Sequence, residues 1–197
     1  PQFLRQRAVS GNTFIGNTAG YSNTYGESNT MVGVSTGFSG SSTYGNSFFG
    51  ASAGYSNMAS YNSFFGMMSG YSNATGTNNS FFGSFSGQYN TSGSENVFLG
   101  NYAGNVNETG SRNIFIGNES GSGNVSGSNN IFIGDSTGRS NTSGQMNIAI
   151  GRSALFANTR SGQVAIGDSA LAKNSTGTSN PLEAVFNTAI GTKALKR

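Results

Sequence analysis

Apolar residues along this chain come in short clusters, each closed by a glycine and followed by a longer polar stretch. The closing glycines are Gly16, Gly33, Gly50, Gly66, Gly83, Gly100, Gly117, Gly134, Gly151, Gly167 and Gly191. The steps between them are 17, 17, 16, 17, 17, 17, 17, 17, 16 and 24 residues, a near-constant period that marks a repeat architecture. Other columns keep the same register. Immediately before the glycine stand Ile15, Val32, Phe49, Phe65, Phe82, Leu99, Ile116, Ile133, Ile150, Ile166 and Ile190. Two before it stand Phe14, Met31, Phe48, Phe64, Phe81, Phe98, Phe115 and Phe132, replaced by Ala149, Ala165 and Ala189 in the last three copies. Four before it, Asn12, Asn29, Asn46, Asn62, Asn79, Asn96, Asn113, Asn130, Asn147 and Asn187 form a column that Gln163 interrupts. The residue three after the glycine is always Ala, Ser or Thr. A second Asn column lies seven after it, from Asn23 to Asn174, with Gly40 as the exception.

The run of four or five residues ending at the motif glycine is rich in aromatic and β-branched residues and predicts a strand. The remainder is Gly, Asn and Ser, which form turns because they tolerate positive φ or cap their own backbone. A second, very short strand is expected around the small residue three after the glycine. No stretch has helical periodicity. A unit this short suits one winding of a β-solenoid, whose strands bond to the windings above and below. The expected fold is therefore all-β: a β-solenoid with single-stranded rungs, about eleven coils of 17 residues and about 50 Å long at ~4.8 Å per rung. Residues 1–11 read as a lead-in from an upstream chain, 12–146 as Phe-type repeats and 147–197 as Ala-Ile-Gly-type repeats. The last step is seven residues longer than the others and holds Pro181, so an inserted loop is expected near 174–186. Four after the motif glycine, a run of glycines from Gly20 to Gly138 gives way to Leu155, Leu171 and Leu195.

Stacking turns each column into a ladder. The expected structural ladder comprises Asn46, Phe48, Phe49, Gly50, Asn79, Phe81, Gly83, Asn113, Phe115, Ile116, Gly117, Asn130, Phe132, Ile133, Gly134, Ile150, Gly151, Ile166, Gly167, Ile190 and Gly191. Stacked Asn amides can bond along the axis, and stacked Phe rings bury one another. Side chains alternate across a strand, so the Phe column and the neighbouring Ile column face opposite ways. A thin single-chain coil covers only its inner face. The other column must meet a partner or remain as an exposed apolar stripe. The expected partner is the chain itself, in a homo-oligomer with parallel axes, most simply a trimer.

Composition narrows the chemistry. Charged residues are 9% of the chain and its net charge is +3, but no Lys or Arg lies between Arg7 and Arg112. There is no basic face for phosphates, and nucleic acid is not an expected partner. The late cations Arg112, Arg139, Arg152 and Arg160 read as solvated loop positions. No apolar run approaches a membrane span, so no membrane contact by this segment is expected. Without His or Cys there is no common nucleophilic triad or zinc site, and no cofactor or metal is expected. Asp135 and Asp168 share a column but sit two rungs apart, too scattered for a carboxylate pair, and the chain reads as non-enzymatic. Asn73, Asn90 and Asn141 each open an Asn-x-Ser/Thr triplet, which the repeat itself explains better than glycosylation. Tyr21, Phe38, Tyr55 and Tyr71 lie five after the glycine in the first four rungs, either as ligand-stacking aromatics for a carbohydrate or as packing, which is favoured.

The last repeats read Asn147-Ile148-Ala149-Ile150-Gly151-Arg152-Ser153-Ala154-Leu155, Val164-Ala165-Ile166-Gly167-Asp168-Ser169-Ala170-Leu171 and Thr188-Ala189-Ile190-Gly191-Thr192-Lys193-Ala194-Leu195. These resemble the head repeats of trimeric autotransporter adhesins, and are similar to repeats of phage tail fibres and bacterial surface fibres. The resemblance is close over 147–195 and looser over 12–146. It implies a homotrimeric left-handed parallel β-roll, placed outside the cell, on a cell surface or in a virion fibre, and binding a host-surface protein or glycan. The functional expectation is a rigid extracellular rod that displays loops for attachment. Alternatives are a self-assembling matrix filament and an ice-binding solenoid. The second needs a regular Thr/Ser ladder, whereas the column three before the glycine turns into Val97, Ile114, Ile131 and Ile148.

Overall fold

The structure, a computed structural model, describes residues 4–7, 11–173 and 186–195. Twelve strands form one sheet in chain order: β1 Leu4–Arg7, β2 Asn12–Ile15, β3 Thr30–Val32, β4 Ser47–Phe49, β5 Ser63–Phe65, β6 Ser80–Phe82, β7 Val97–Leu99, β8 Ile114–Ile116, β9 Ile131–Ile133, β10 Ile148–Ile150, β11 Val164–Ile166 and β12 Thr188–Ile190. The eleven strands β2–β12 are parallel and pair column on column, as in Phe81↔Phe98 and Ile116↔Ile133. The chain is thus an all-β solenoid with one strand per winding, and no helix occurs among the described residues. Nine windings, from β2 to β11, lie wholly within the described residues. In the tenth, residues 174–185, where most of the loop expected near 174–186 falls, lie outside them. The lead-in contributes β1, which pairs antiparallel to β2 with Leu4 opposite Ile15.

The second short strand does not form. The residues two and four after the motif glycine both have positive φ in all eleven copies, for example Thr18 (58°) and Gly20 (58°). This segment is a turn because two left-handed residues so close together cannot lie in a pleated strand. It still bonds along the axis: Gly87 N–H donates to the Ala103 carbonyl at 2.9 Å.

The interior has an apolar and a polar half. Phe48, Phe64, Phe81, Phe98, Phe115 and Phe132 are fully buried. Their rings stack within 9° of parallel with centroids 4.7 to 5.0 Å apart, an offset-stacked spine at the rung spacing. A glycine four after the motif lies against each ring. A Cβ at Gly20 would come within 2.8 Å of the Phe14 ring, so this position has no side chain wherever Phe is present. In the last copies Phe becomes Ala149 and Ala165, and buried Leu155 and Leu171 replace the glycine. The apolar volume has moved from the strand to the turn. Leu155 adopts φ 50°, a left-handed conformation that costs a branched residue about 1–2 kcal/mol.

The polar half contains two Asn ladders. In the first, each amide oxygen receives the backbone N–H of the next Asn, and each Nδ2 donates to a corner carbonyl. For Asn96, Oδ1 accepts from Asn113 N–H at 2.9 Å and Nδ2 donates to the Gly110 carbonyl at 2.9 Å. In the second, Asn107 Nδ2 donates to Asn90 Oδ1 at 2.7 Å, and Asn124 Nδ2 donates to Asn107 Oδ1 at 2.7 Å. Buried amides are tolerated because every winding supplies its neighbour's partners. Where the column breaks, an oxygen is left over. Asn23 Oδ1 is buried without a partner because Gly40 stands in the next winding. The motif glycines permit the close stacking itself. Gly83 has φ 136°, and a Cβ there would run into the Gly100 carbonyl of the next winding.

Candidate interaction surfaces

Strand alternation puts the Phe column and the first Asn column inside, since both lie an even number of residues before the motif glycine. The residues one and three before it therefore face outward. Ile15, Phe49, Phe82, Leu99, Ile150 and Ile190 are exposed, and Phe65, Ile116, Ile133 and Ile166 are half-buried. On β2–β6 the second outward row is hydroxylic: Thr13, Thr30, Ser47, Ser63 and Ser80. From β7 to β11 it becomes Val97, Ile114, Ile131, Ile148 and Val164, so two aliphatic rows run side by side over five strands. Phe49, Phe65 and Phe82 form their own outer stack with centroids 4.8 and 4.7 Å apart.

The expected ladder residues occupy three places. Asn46, Asn79, Asn113 and Asn130, with Phe48, Phe81, Phe115 and Phe132, line the interior. Phe49, Ile116, Ile133, Ile150, Ile166 and Ile190 stand on the outer face. Gly50, Gly83, Gly117, Gly134, Gly151, Gly167 and Gly191 turn the chain between the two. The lateral aromatics Tyr21, Phe38, Tyr55 and Tyr71 stack on one another at 5.0 Å and within 9° of parallel. The inner members, Phe38 and Tyr55, have a ring against each face, leaving mainly edges toward solvent. Asn73, Asn90 and Asn141 are fully buried in the second Asn ladder, so their amides are not accessible for glycosylation.

The late cations, which sequence reading leaves in solvent, are tied to the stack. Arg112 Nε pairs with Glu95 at 3.1 Å, Arg139 Nε with Glu119 at 3.0 Å and Arg152 Nε with Asp168 at 2.9 Å, each between adjacent windings. The hydrogen bond from Arg152 holds the Asp168 carboxyl below the usual carboxylate range. The same contact raises the Arg152 guanidinium, with a smaller contribution from Asp135. Asp135 and Asp168 thus flank a cation instead of facing each other. The signal in the sequence was the offset of about one period between opposite charges, legible only once windings are known to be neighbours. No group of three metal-ligating His, Cys, Asp or Glu residues occurs among the described residues. Among the described residues there is no helix long and apolar enough to cross a membrane. Comparison with known proteins returned no matching family model, no matching curated protein and no matching solved structure.

Proposed function

We propose that this chain is a non-enzymatic structural rod, a segment of an extracellular fibre or adhesin that works as a parallel homotrimer and displays its lateral faces for attachment. The observation that carries this reading is the outer sheet face, where two aliphatic rows lie side by side from β7 to β11. The row one before the motif glycine is apolar on all eleven strands, a stripe about 50 Å long at ~4.8 Å per strand, and over β7–β11, about 24 Å, the second aliphatic row widens it to roughly 10–12 Å. Two whole faces in contact, hydroxyl rows included, remove roughly 1,000–1,200 Å² from water, the lower end of a specific interface. Soluble monomers seldom leave so long an apolar stripe uncovered. The choice of three chains rests on the resemblance of 147–195 to adhesin head repeats, as does the placement outside a cell or on a virion.

The matrix-filament reading requires parallel rungs to add at the solenoid's ends. β1 lies antiparallel on β2 and occupies one of those edges. The ice-binding reading requires a continuous hydroxyl lattice, and the hydroxyl row on the outer face is interrupted by five aliphatic residues from β7 to β11. Sedimentation equilibrium tests the proposal. The expected mass is that of three chains of 20.2 kDa each, shifting to one chain in Ile116→Lys/Ile133→Lys. A folded, wild-type monomer at micromolar concentration overturns it.

A further inference from the structure

The bulky row five positions after the motif glycine is interrupted in the middle of the rod. Aromatics occupy it from Tyr21 to Tyr71, Asn105 and Ser122 then leave it low, and Arg139 restores it. The gap forms an open hollow of about 490 Å³ lined by Tyr102, Asn105, Glu119, Ser122 and Arg139, among others. Its walls are chemically distinct. Tyr102 stacks on Phe85 of the preceding winding at 4.8 Å and 9°, so one ring face is covered. Its opposite face looks toward the winding of Glu119, where no ring follows in that column. Glu119 takes Arg139 Nε from the next winding at 3.0 Å, and the Arg139 guanidinium sits 5.8 Å from the Phe156 ring centroid.

We propose that this hollow binds a neutral pyranose sugar, one unit of a surface glycan. A pyranose has an apolar C–H face and a rim of hydroxyls. The exposed part of the Tyr102 ring, 38% accessible and lining the hollow, suits the first, because flat aromatic surface buries apolar area without losing many rotamers. Glu119 and Arg139 suit the second. A paired carboxylate keeps acceptor capacity, and a guanidinium with one N–H engaged keeps further donors, in a fork that suits vicinal hydroxyls. The pair brings opposite charges together, so the hollow offers no Coulombic preference for an anionic sugar. The lateral row at Tyr21–Tyr71 lacks this arrangement because its inner rings cover one another and none of the described ion pairs stands beside its ends. The inference rests on the attachment reading above and not on the number of chains.

The test is saturation-transfer difference NMR on the full chain with the methyl glycosides of glucose, galactose, mannose and N-acetylglucosamine, and a sulfated sugar in parallel. Two variants accompany it. Tyr102→Ala removes the platform. Ser122→Tyr fills the gap with a residue that the same column holds at Tyr21, Tyr55 and Tyr71, so the fold has already accommodated it. The expected result is saturable, salt-insensitive binding of at least one methyl glycoside, weakened at least about tenfold in both variants. No saturable signal up to about 10 mM overturns the proposal, as does binding unchanged by Ser122→Tyr or confined to the sulfated sugar. Sedimentation on the same samples separates the two claims: a sugar-binding monomer fails the trimer reading alone, and a trimer that binds no sugar fails the present one alone.

Discussion

Moving a Phe-type winding into the Ala/Leu type tests how the interior is specified. Phe132 is the last ring of the buried spine, and its successors in the column are Ala149 and Ala165. Gly138 lies against the Phe132 ring at φ 59°, and the equivalent position one winding later is the buried Leu155. Phe132→Ala alone leaves a hole where a fully buried ring stood, at a cost of about 3–5 kcal/mol. Gly138→Leu alone meets left-handed strain of about 1–2 kcal/mol and overpacking of about 1–3 kcal/mol. Independent effects would sum to about 5–10 kcal/mol. The double variant instead recreates the packing of the next winding. It keeps the strain and the loss of one ring stack, about 2–3 kcal/mol together. The favourable coupling is therefore at least about 2 kcal/mol, well above the ~0.5 kcal/mol scatter of independent sites. Urea denaturation of the four proteins at one fixed chain concentration gives the cycle. A coupling within that scatter would falsify the idea that the two columns share one volume.

Other perturbations probe the remaining layers. Asn107→Ala removes the acceptor of Asn124 Nδ2 and the donor to Asn90 Oδ1, and should cost about 2–4 kcal/mol by chemical denaturation. A loss under about 0.5 kcal/mol would mean the ladder is not a source of stability. Gly83→Ala drives a Cβ into the Gly100 carbonyl at φ 136°, and strain with overpacking predicts about 2–4 kcal/mol; an unshifted melting temperature contradicts the close stacking. The Arg152–Asp168 pair predicts an acid limb. The Asp168 carboxyl titrates lower in the folded chain than its ordinary ~3.9, so the pair stabilises above about pH 4 and its contribution fades as pH falls through the depressed value. Melting temperature against pH should be flatter on that limb in Asp168→Asn than in wild type, and the difference should shrink in high salt because the pair is exposed. Equal slopes refute the assignment.

The sequence by itself determined the period, the parallel register and the existence of the ladders. A column of identical residues one winding apart can meet itself only if windings stack, and buried Asn is affordable only where the next Asn answers it. Alternation also separated the Phe48, Phe64 and Phe81 side of the strand from the Phe49, Phe65 and Phe82 side. Nothing in the linear pattern said which side faced inward. That was decided by volume across the lumen, where the Phe column fits against glycine and the Ala column against leucine. The missing second strand was equally hidden, because positive φ falls on Thr18, Met68, Phe85 and Tyr102, residues whose chemistry does not announce it. The antiparallel β1, the ion pairs between windings and the hollow beside Tyr102 depend on neighbours a full turn away. Their distances follow from the coil's cross-section, which the backbone sets only when all windings close together.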